Sequence, residues 1–342
     1  MKFQNVVLES LDYAQAPDVL TSEQLEERLR PVYERLKLPF GRLELMTGIR
    51  ERRFWPSTHR PSAASTEAGL LALERSSIER DQVEVLIHAA VCRDMLEPAT
   101  AAFVHNGLGL RDDCQVFDLS NACLGFLNGM VLIGSMIDSG QIKCGMVTVG
   151  ENGRPLVEKT LAELLDKPLT RNGIKPYFAN LTIGAAACAG ILCHEDLAPQ
   201  GHRLLAGACR ASTQHSELCL GADSVDGLAM QTESEQLLEA GVAAASETWE
   251  AFKQITQWTE ETPDRIVCHQ VGSVHRRRLY ETLNLDPGRD FSTFEVLGNT
   301  GSAALPVTLA KGVEEGAINT GDQVALLGIG SGINCLMLAM QW

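Results

Sequence analysis

Residues 115–140 read QVFDLSNACLGFLNGMVLIGSMIDSG, and the rest of the chain is organised around this stretch. Its first five residues predict a short buried strand, and Ser120, Asn121 and Ala122 predict a tight polar turn. From Cys123 onward the apolar residues leave no polar stripe, which predicts a helix buried on all sides. Cys123 would then lie in the first turn of this helix, where the helix dipole and free N–H groups favour a thiolate and a nearby oxyanion.

The chain contains ten cysteines, none of them in a C-x-x-C pair. Free cysteine is among the most buried residue types, so a place in the core is the ordinary interpretation for roughly nine of the ten. Reduced thiols in a cytoplasmic protein fit this pattern better than a disulfide framework, which is typical of small secreted chains. Cys123 differs from the others because it lies between a strand and a buried helix, and this position makes it a candidate nucleophile.

With 342 residues, the chain is long for one simple core, so two halves or an enlarged α/β domain are expected. The formal net charge of −15 argues against nucleic acid and anionic membranes as partners, since both bind basic surfaces. The longest uncharged apolar runs are too short and too rich in glycine to span a bilayer. We therefore expect a soluble, cytoplasmic protein without an integral membrane segment.

The second half of the sequence repeats the pattern of the first. PDRIVCHQVGS resembles VEVLIHAAVCR, and FSTFEVLGNTGSAALPVTLAKGV resembles CQVFDLSNACLGFLNGMVLIGSM. Ile142 and Ile318 occupy the same place in another pair of matching segments (318 − 142 = 176). Two copies of one strand–helix pattern imply a duplicated domain with pseudo-twofold symmetry and mainly parallel sheets covered by helices. The predicted halves are residues 1–200, which carry Cys123, and residues 201–342.

Reactive groups in open α/β sheets gather beyond the carboxyl ends of the strands. The polar residues at such places are Cys123, His269, Asn299 and the glycine-rich turn 330–332. A cysteine nucleophile needs an imidazole near it, and an acyl-thioester intermediate needs N–H donors around its carbonyl oxygen. Taken singly, His269 is equally well explained as a satisfied strand-end histidine, and Asn299 as a turn residue between glycines. Their equivalent places in a duplicated fold favour a shared catalytic role.

NACLGF around Cys123, HQ at His269, GNTGSAALP around Asn299 and GIGSG ending at Gly332 resemble the thiolase-superfamily condensing enzymes, in particular the ketoacyl-carrier-protein synthase III branch. TGIRERR at residues 47–53 belongs to the same pattern, and the resemblance covers nearly the whole chain. It implies a duplicated five-layered αβαβα fold with two mainly parallel mixed sheets, and an obligate homodimer. It also implies acylation of Cys123 by an acyl thioester, followed by Claisen condensation. By the same resemblance, the N–H groups of Cys123 and Gly332 form one oxyanion hole, and His269 and Asn299 form the second.

Glu97 distinguishes two branches of this superfamily. In ordinary synthase III enzymes the corresponding segment reaches across the dimer and places an aromatic residue against the primer pocket, whereas this chain has RDMLEPAT there. Together with GRLELMTGIRERRFW and LLGIGSGINC, this pattern resembles the OleA-type acyl-CoA condensing enzymes of bacterial long-chain olefin biosynthesis.

The chemistry of the reaction supports a catalytic role for Glu97. A malonyl thioester forms its enolate by losing carbon dioxide, whereas joining two plain acyl-CoAs requires a base that removes an α-proton. A carboxylate in an apolar tunnel has the raised pKa that suits this task. The alternative is that Glu97 merely precedes Pro98 at a helix start, although glutamate is a poor N-cap.

We therefore predict a non-decarboxylative, head-to-head condensation of two fatty acyl-CoAs to a 2-alkyl-3-oxo acid through an acyl-Cys123 intermediate. One alternative is a decarboxylating 3-oxoacyl synthase III that uses malonyl-carrier protein. Others are a cysteine acyl-hydrolase or acyltransferase and an inactive acyl-binding scaffold; the intact Cys–His–Asn set argues against the scaffold. Enzymes that act later in olefin biosynthesis are candidate partners.

Arg50 and Arg53 belong to a basic cluster in an otherwise acidic chain, and they are candidates to contact CoA phosphates because arginine binds phosphate in a bidentate manner. Solvation at the surface is the alternative for both. His88, His105 and His275 have no partner at the spacing of metal ligands, so we predict no metal. The predicted substrates are CoA thioesters, and no further cofactor is expected.

Overall fold

Strands and α-helices alternate along the computed structural model of this chain, which describes residues 1–224 and 227–342; Val225 and Asp226, in the predicted second half, lie outside the described residues. The strands are β1 (Val6–Gln15), β2 (Asp18–Thr21), β3 (Glu51–Phe54), β4 (Val85–His88), β5 (Gln115–Asp118), β6 (Cys144–Asn152), β7 (Ala185–His194), β8 (His202–Ala211), β9 (Cys219–Ser224), β10 (Gly227–Thr232), β11 (Arg265–Cys268), β12 (Gln323–Gly330) and β13 (Asn334–Gln341). The α-helices are α1 (Ser22–Arg28), α2 (Arg30–Leu36), α3 (Arg42–Thr47), α4 (Pro61–Arg75), α5 (Thr100–Leu108), α6 (Gly125–Asp138), α7 (Arg154–Asp166), α8 (Ser234–Thr256), α9 (Ser273–Leu283), α10 (Phe294–Leu297) and α11 (Ala304–Glu314). Short 3-10 helices occupy Arg80–Gln82, Ala122–Leu124, Lys175–Thr182, Thr213–Leu218, Pro287–Arg289 and Gly301–Ala303. None of the described helices is both long enough and apolar enough to cross a membrane.

Nine of the described strands form one sheet in the order β11-β12-β13-β8-β1-β7-β6-β4-β5. In the arm β1-β7-β6-β4-β5, β4 is parallel to β5 and β6, and β7 is antiparallel to its neighbours. The arm β8-β13-β12-β11 repeats this plan, with β11 parallel to β12 and β13 antiparallel to its neighbours. Where the first arm has β5, the second has an isolated parallel bridge between Ile266 and Asp290. The two arms therefore share strand order and strand directions, as expected of a duplicated pattern.

The arms are joined by a short antiparallel pairing of β1 with β8, in which Val7 faces Arg203 and Leu8 faces His202. The two expected sheets are thus connected into one by hydrogen bonds. The division of the chain into residues 1–200 and 201–342 stays a prediction, because this sheet continues across it.

Helices cover the outer face of each arm and fill the space between the arms. α4 packs on β1, β6 and β7, whereas α8 packs on β8 and β13. α6 contacts strands of both arms, including β6, β7 and β13, and α11 contacts β1, β7 and β11. α6 and α11 therefore form the central layer of an αβαβα stack. The hydrophobic core around them includes Phe126, Met130, Ile133, Val307, Leu309 and Leu336. The predicted α/β class and its layered arrangement are confirmed.

Two predicted elements differ from the structure in their limits or surroundings. The strand expected at residues 115–119 is β5, but it lies at the edge of the sheet, where Val116 is 39% exposed instead of buried. The helix expected from Cys123 onward begins at Gly125, and a 3-10 turn at Ala122–Leu124 precedes it. α6 itself is buried along most of its length, as the missing polar stripe predicted.

Candidate active site

Cys123 lies in the 3-10 turn Ala122–Leu124, here called the Cys123 turn, directly before α6. Ala122 has a φ of 46°, in the left-handed region that residues with a side chain rarely adopt. Next to it, Asn121 Nδ2 donates a hydrogen bond to Asn128 Oδ1 at 2.8 Å and so ties the turn to α6. Strained backbone of this kind persists where the surroundings hold it and is common at catalytic residues.

The glycine-rich turn at residues 330–332 packs against the Cys123 turn. A Cβ atom added to Gly330 would lie 3.5 Å from Cys123 N and 3.2 Å from Leu124 Cγ, so this position has little room for a side chain. Gly332 has a φ of 79°, which glycine adopts without the steric cost that a Cβ brings. The backbone that carries the predicted oxyanion-hole N–H of Gly332 is thereby brought to the side of Cys123.

Asn299 lies in a turn, residues 298–302, whose backbone is fixed by the segment directly before β7. Asn299 N donates to Thr182 O at 2.9 Å, and Gly184 N donates to Asn299 O at 2.9 Å. The side-chain Oδ1 accepts a hydrogen bond from Gly301 N at 3.0 Å. These bonds orient the amide and leave its Nδ2 as the donor that the described residues do not use. This segment is called the Asn299 turn below.

His269 follows β11, and its backbone N donates to Leu327 O on β12 at 3.0 Å. The neighbouring Gln270 is buried, and its Oε1 accepts hydrogen bonds from Thr293 N at 3.0 Å and Phe294 N at 3.2 Å. Gln270 therefore fixes the start of α10, which leads into the Asn299 turn. The HQ motif thus combines a candidate catalytic imidazole with an amide that positions the neighbouring site segment.

The His269 side chain is held in its neutral form. Burial, with a smaller contribution from His275, lowers the pKa of His269 to about 4. Its Nδ1 is buried and has no hydrogen-bond partner among the described residues. A neutral imidazole at neutral pH has one nitrogen that accepts a proton and one that donates, which suits it for both half-reactions of a condensing enzyme.

The thiol of Cys123 is also held neutral, contrary to the expectation from the helix dipole. Burial and, to a smaller extent, the Glu151 carboxylate and the Cys219 thiol raise the pKa of Cys123 to about 12. The predicted preference for a thiolate is therefore wrong for the unacylated protein. The physical reason is that α6 begins only at Gly125, so its dipole is outweighed by burial next to a carboxylate. The proton of Cys123 must then move to a base during attack.

This raised pKa predicts slow alkylation of Cys123 at neutral pH. Because the thiolate is the nucleophile, the rate of reaction with iodoacetamide should rise about tenfold for each pH unit between 7 and 10. Peptide mass spectrometry of the Cys123 peptide at several pH values measures this rate. Free cysteine, with a pKa of about 8.5, is the reference that should level off within this range. A plateau of the Cys123 rate below pH 9 would contradict the assignment.

The Cys123 turn and the Asn299 turn are in direct contact. Phe126 N donates to Ser302 Oγ at 2.9 Å, and Ser302 Oγ donates to Ala89 O at 2.7 Å. Because His269 is bonded to β12, and β12 ends at the glycine-rich turn beside Cys123, the segments that carry the predicted Cys–His–Asn set lie around one place. The structure therefore brings together the segments of Cys123, His269, Asn299 and Gly332.

Within a single chain, Glu97 does not lie among these site segments. It lies on an exposed loop, residues 91–99, here called the Glu97 loop, in which Leu96 is 92% exposed. α5 begins only at Thr100, and Asp118 accepts the hydrogen bonds of Thr100 N at 2.9 Å and Ala101 N at 2.8 Å. Asp118 thus fulfils the capping role that was the alternative explanation for Glu97.

The two candidate CoA-binding arginines have different surroundings. Arg53 is half-buried, with its Nη1 3.5 Å from Ala16 O, and its Nε lies 3.0 Å from the Gln15 amide oxygen when that amide is oriented to accept. Arg50 is exposed, and its backbone N donates to Glu295 O at 2.9 Å beside α10. Arg50 is therefore free to meet a phosphate near the site, whereas Arg53 is occupied at the end of β1.

Glu151 is a site residue that the sequence interpretation missed. It is the last but one residue of β6 and accepts hydrogen bonds from Val91 N, Cys92 N and Ser302 N. Burial raises its pKa, and these backbone donors oppose that rise. The available signal was a single charged residue at the end of an otherwise uncharged strand, CGMVTVGEN. Within the described residues, no three His, Cys, Asp or Glu side chains are grouped so that they could hold a metal ion.

Comparisons with known proteins agree with this architecture. Residues 254–342 match the family described as 3-Oxoacyl-[acyl-carrier-protein (ACP)] synthase III C terminal. The chain is 39% identical to the acyl-CoA:acyl-CoA alkyltransferase of Shewanella oneidensis and 37% identical to that of Xanthomonas campestris pv. campestris, with 100% of every chain covered. The crystal structure of cerulenin-bound OleA from Xanthomonas campestris matches with a TM-score of 0.96 at 37% identity, over 100% of this chain and 98% of that chain.

The same Xanthomonas OleA has been solved with a cysteine replaced, with a histidine replaced and with a glutamate replaced. In that protein the replaced glutamate precedes the replaced cysteine by 26 residues. The resemblance to the thiolase-superfamily condensing enzymes, to their synthase III branch and to the OleA-type enzymes is confirmed. Identity of 37% and 39% over the full length, with a shared fold, shows that this chain belongs to the acyl-CoA:acyl-CoA alkyltransferase family.

Proposed function

We propose that this protein joins two fatty acyl-CoAs head to head, without decarboxylation, to form a 2-alkyl-3-oxo acid through an acyl-Cys123 intermediate. The observation that carries the proposal is Glu97, an exposed carboxylate on a loop where Asp118 already caps the following helix. Glu97 precedes Cys123 by 26 residues (123 − 97 = 26), the separation between the replaced glutamate and cysteine of the Xanthomonas enzyme. A base is the component that a non-decarboxylative condensation needs and a decarboxylative one does not.

In the first half-reaction, Cys123 Sγ attacks the thioester carbonyl of one acyl-CoA. Neutral His269 accepts the thiol proton, since the raised pKa of Cys123 leaves no thiolate to attack unaided. The N–H groups of Cys123 and Gly332 stabilise the oxyanion that forms. The C–S bond to CoA then breaks, the CoA thiolate takes the proton from His269, and the acyl group remains on Cys123.

In the second half-reaction, Glu97 removes the α-proton of a second acyl-CoA, and His269 and Asn299 Nδ2 stabilise the resulting enolate oxygen. The enolate carbon attacks the acyl-Cys123 carbonyl and forms the new C–C bond. The Cys123 thiolate leaves and recovers a proton from Glu97. Hydrolysis of the remaining CoA thioester by water releases the 2-alkyl-3-oxo acid.

The placement of Glu97 requires a second subunit, and we include a homodimer in the proposal. The Glu97 loop carries the exposed side chains of Val91, Met95 and Leu96, and β5 beside it is an edge strand with an exposed Val116. A group of exposed apolar side chains next to an open strand edge is typical of a surface that another chain covers. In the dimer, this loop enters the partner's site and supplies Glu97 to the partner's Cys123.

Incubation with a single acyl-CoA, without any malonyl thioester, tests the proposed function. A 3-oxo acid, or the ketone that it forms on losing carbon dioxide, supports head-to-head condensation. Free fatty acid alone would indicate a cysteine hydrolase. Turnover only after addition of malonyl-carrier protein would indicate the decarboxylating synthase III reaction, which the family match over residues 254–342 makes the second candidate.

Replacing Asn299 by alanine should slow condensation more than acylation, whereas His269→Ala should slow both steps, because His269 also accepts the Cys123 thiol proton. Both groups are assigned to the enolate oxygen, and loss of one preorganised donor typically costs roughly 10²–10³ in rate. Quantifying the 3-oxo product and, separately, the acyl-Cys123 adduct by mass spectrometry distinguishes the two steps. Asn319→Ala is the matched control, because Asn319 is also a turn asparagine but lies beyond the far end of α11. An Asn299→Ala variant that condenses at the unaltered rate would exclude the assigned role.

A further inference from the structure

A buried carboxylate lies behind the candidate active site. Glu151 is 3% exposed, and its Oε1 accepts hydrogen bonds from Val91 N at 2.8 Å and from Ser302 N at 3.1 Å. Its Oε2 accepts a hydrogen bond from Cys92 N at 2.9 Å. Because both oxygens accept N–H bonds, the surroundings satisfy the ionised carboxylate, which is an acceptor only.

These bonds join segments that are far apart in the sequence. Val91 and Cys92 begin the Glu97 loop, and Ser302 ends the Asn299 turn. Ser302 extends the connection, since its Oγ donates to Ala89 O at 2.7 Å and accepts from Phe126 N at 2.9 Å. Glu151 and Ser302 therefore link the start of the Glu97 loop, the Asn299 turn and the first turn of α6.

Two glycines allow these segments to lie close together. A Cβ atom on Gly301 would lie 3.0 Å from Glu151 Oε1, and one on Gly125 would lie 2.7 Å from Ala89 O and 2.9 Å from Ser302 Oγ. Contacts this close leave little space into which a displaced backbone could relax. A change at Glu151 should therefore move the segments that carry Glu97 and Asn299, instead of being absorbed locally.

We propose that Glu151 is a positioning residue for the condensation step, because its carboxylate holds the start of the Glu97 loop and the Asn299 turn in one arrangement beside Cys123. This inference rests on the roles proposed above for Glu97 and Asn299. The base and the enolate donor must meet the same second acyl-CoA, and a misplacement of about 1 Å can cost about 100-fold in rate. Acylation of Cys123 uses neither group, so it should depend less on Glu151.

The charge of Glu151 also acts on Cys123, which provides a readout that a merely structural role would not change. Burial raises the pKa of the Cys123 thiol most, and the titratable groups that raise it further are Glu151 on β6 and Cys219 on β9. Cys92 faces the same carboxylate, and its pKa is raised by burial and by Glu151. Removal of the Glu151 charge should therefore make Cys123 more reactive towards iodoacetamide, although the same change slows condensation.

Glu151→Gln tests the proposal. The side chain keeps its size, but an amide NH₂ would face a backbone N–H that now donates to a carboxylate oxygen. We expect condensation to fall about 10–100-fold, acyl-Cys123 formation to change less than about threefold, and alkylation of Cys123 to rise about tenfold for each unit by which its pKa falls. Glu151→Asp keeps the charge and shortens the side chain, so its alkylation rate should stay near that of the unaltered protein while condensation remains reduced.

Asp138→Asn is the matched control, because Asp138 also accepts two backbone N–H bonds, from Gln4 and Asn5 at 3.0 Å each, but at the other end of α6. Hydrogen exchange should increase in residues 90–99 and 298–304 of Glu151→Gln, and only near residues 4–5 of Asp138→Asn. These exchange and alkylation readouts do not depend on the condensation reaction, so they separate this inference from the proposed function. The proposal would be overturned by three results together. Acylation and condensation would fall equally, the alkylation rate of Cys123 would be unchanged in Glu151→Gln, and hydrogen exchange at the Glu97 loop would be unchanged in both Glu151 variants.

Discussion

Cys123→Ala should abolish acyl-enzyme formation and, with it, the condensation of acyl-CoAs. The other cysteines near the site are poor substitutes, because both thiols already have partners: Cys92 Sγ donates to Asn152 O, and Cys219 Sγ lies 3.5 Å from Thr232 Oγ1. Removing the nucleophile of a set that acts as a unit costs about 10⁶-fold in turnover in a well-studied protease, and we expect a loss on that order here. Intact-protein mass spectrometry after incubation with one acyl-CoA should show one added acyl group on the unaltered protein and none on the variant.

The control for this experiment is Cys209→Ala, which removes an exposed cysteine of β8. Its acyl adduct and its condensation activity should match those of the unaltered protein. This result would show that the effect of Cys123→Ala is not a general effect of removing a thiol. An adduct that persists on Cys123→Ala would place the nucleophile elsewhere. The thermal unfolding temperatures of both variants, compared with that of the unaltered protein, check that the replacements do not unfold the protein.

Local patterns were sufficient to predict the α/β class and the repeated strand–helix pattern, and they drew attention to Cys123, His269 and Asn299, whose segments meet in the structure. The repeat offset of 176 residues has a direct counterpart in the structure, since Phe126 and Ser302 stand 176 positions apart and share a hydrogen bond. Each copy places a turn and a helix after its strand, and the buried helix α6 was readable because it lacks a polar stripe. Periodicity and glycine-rich turns are short-range properties, and a single sequence displays them.

The features that the sequence did not reveal depend on contacts between distant segments. Glu151 accepts hydrogen bonds from Val91 N, which is 60 positions away in the sequence, and from Ser302 N, which is 151 positions away. No local pattern indicates which N–H groups a buried carboxylate meets. The raised pKa of Cys123 follows mainly from burial, with a smaller contribution from Glu151, so the dipole argument alone had the wrong sign. The exposure of β5 is a third case, because an apolar strand has the same sequence pattern at a sheet edge as in a sheet centre.

Glu97→Gln should separate the two half-reactions. If Glu97 removes the α-proton of the second acyl-CoA, the variant should still acylate Cys123 nearly as fast as the unaltered protein, because that step uses His269. Formation of the C–C bond should fall by roughly 10²–10⁴, the contribution typical of a general base. The mass of the acyl-enzyme and the yield of 3-oxo product, measured on the same sample, give both quantities. Unimpaired condensation of acyl-CoA by Glu97→Gln would exclude the base assignment and favour the malonyl-dependent reaction.

A mixed dimer tests which subunit uses Glu97. The same two replacements can be distributed over the subunits in two ways, and the two distributions have different expected activities. With Cys123→Ala in one subunit and Glu97→Gln in the other, a Glu97 that crosses the dimer leaves one site with both groups and one with neither. This dimer should keep about half of the activity. With both replacements in one subunit and an unaltered partner, each site lacks one group and the dimer should be inactive. If Glu97 serves its own subunit, the two results exchange places, because the unaltered subunit then contains a complete site. The proposed dimer would cover the exposed Leu96 beside Glu97, which favours the first outcome.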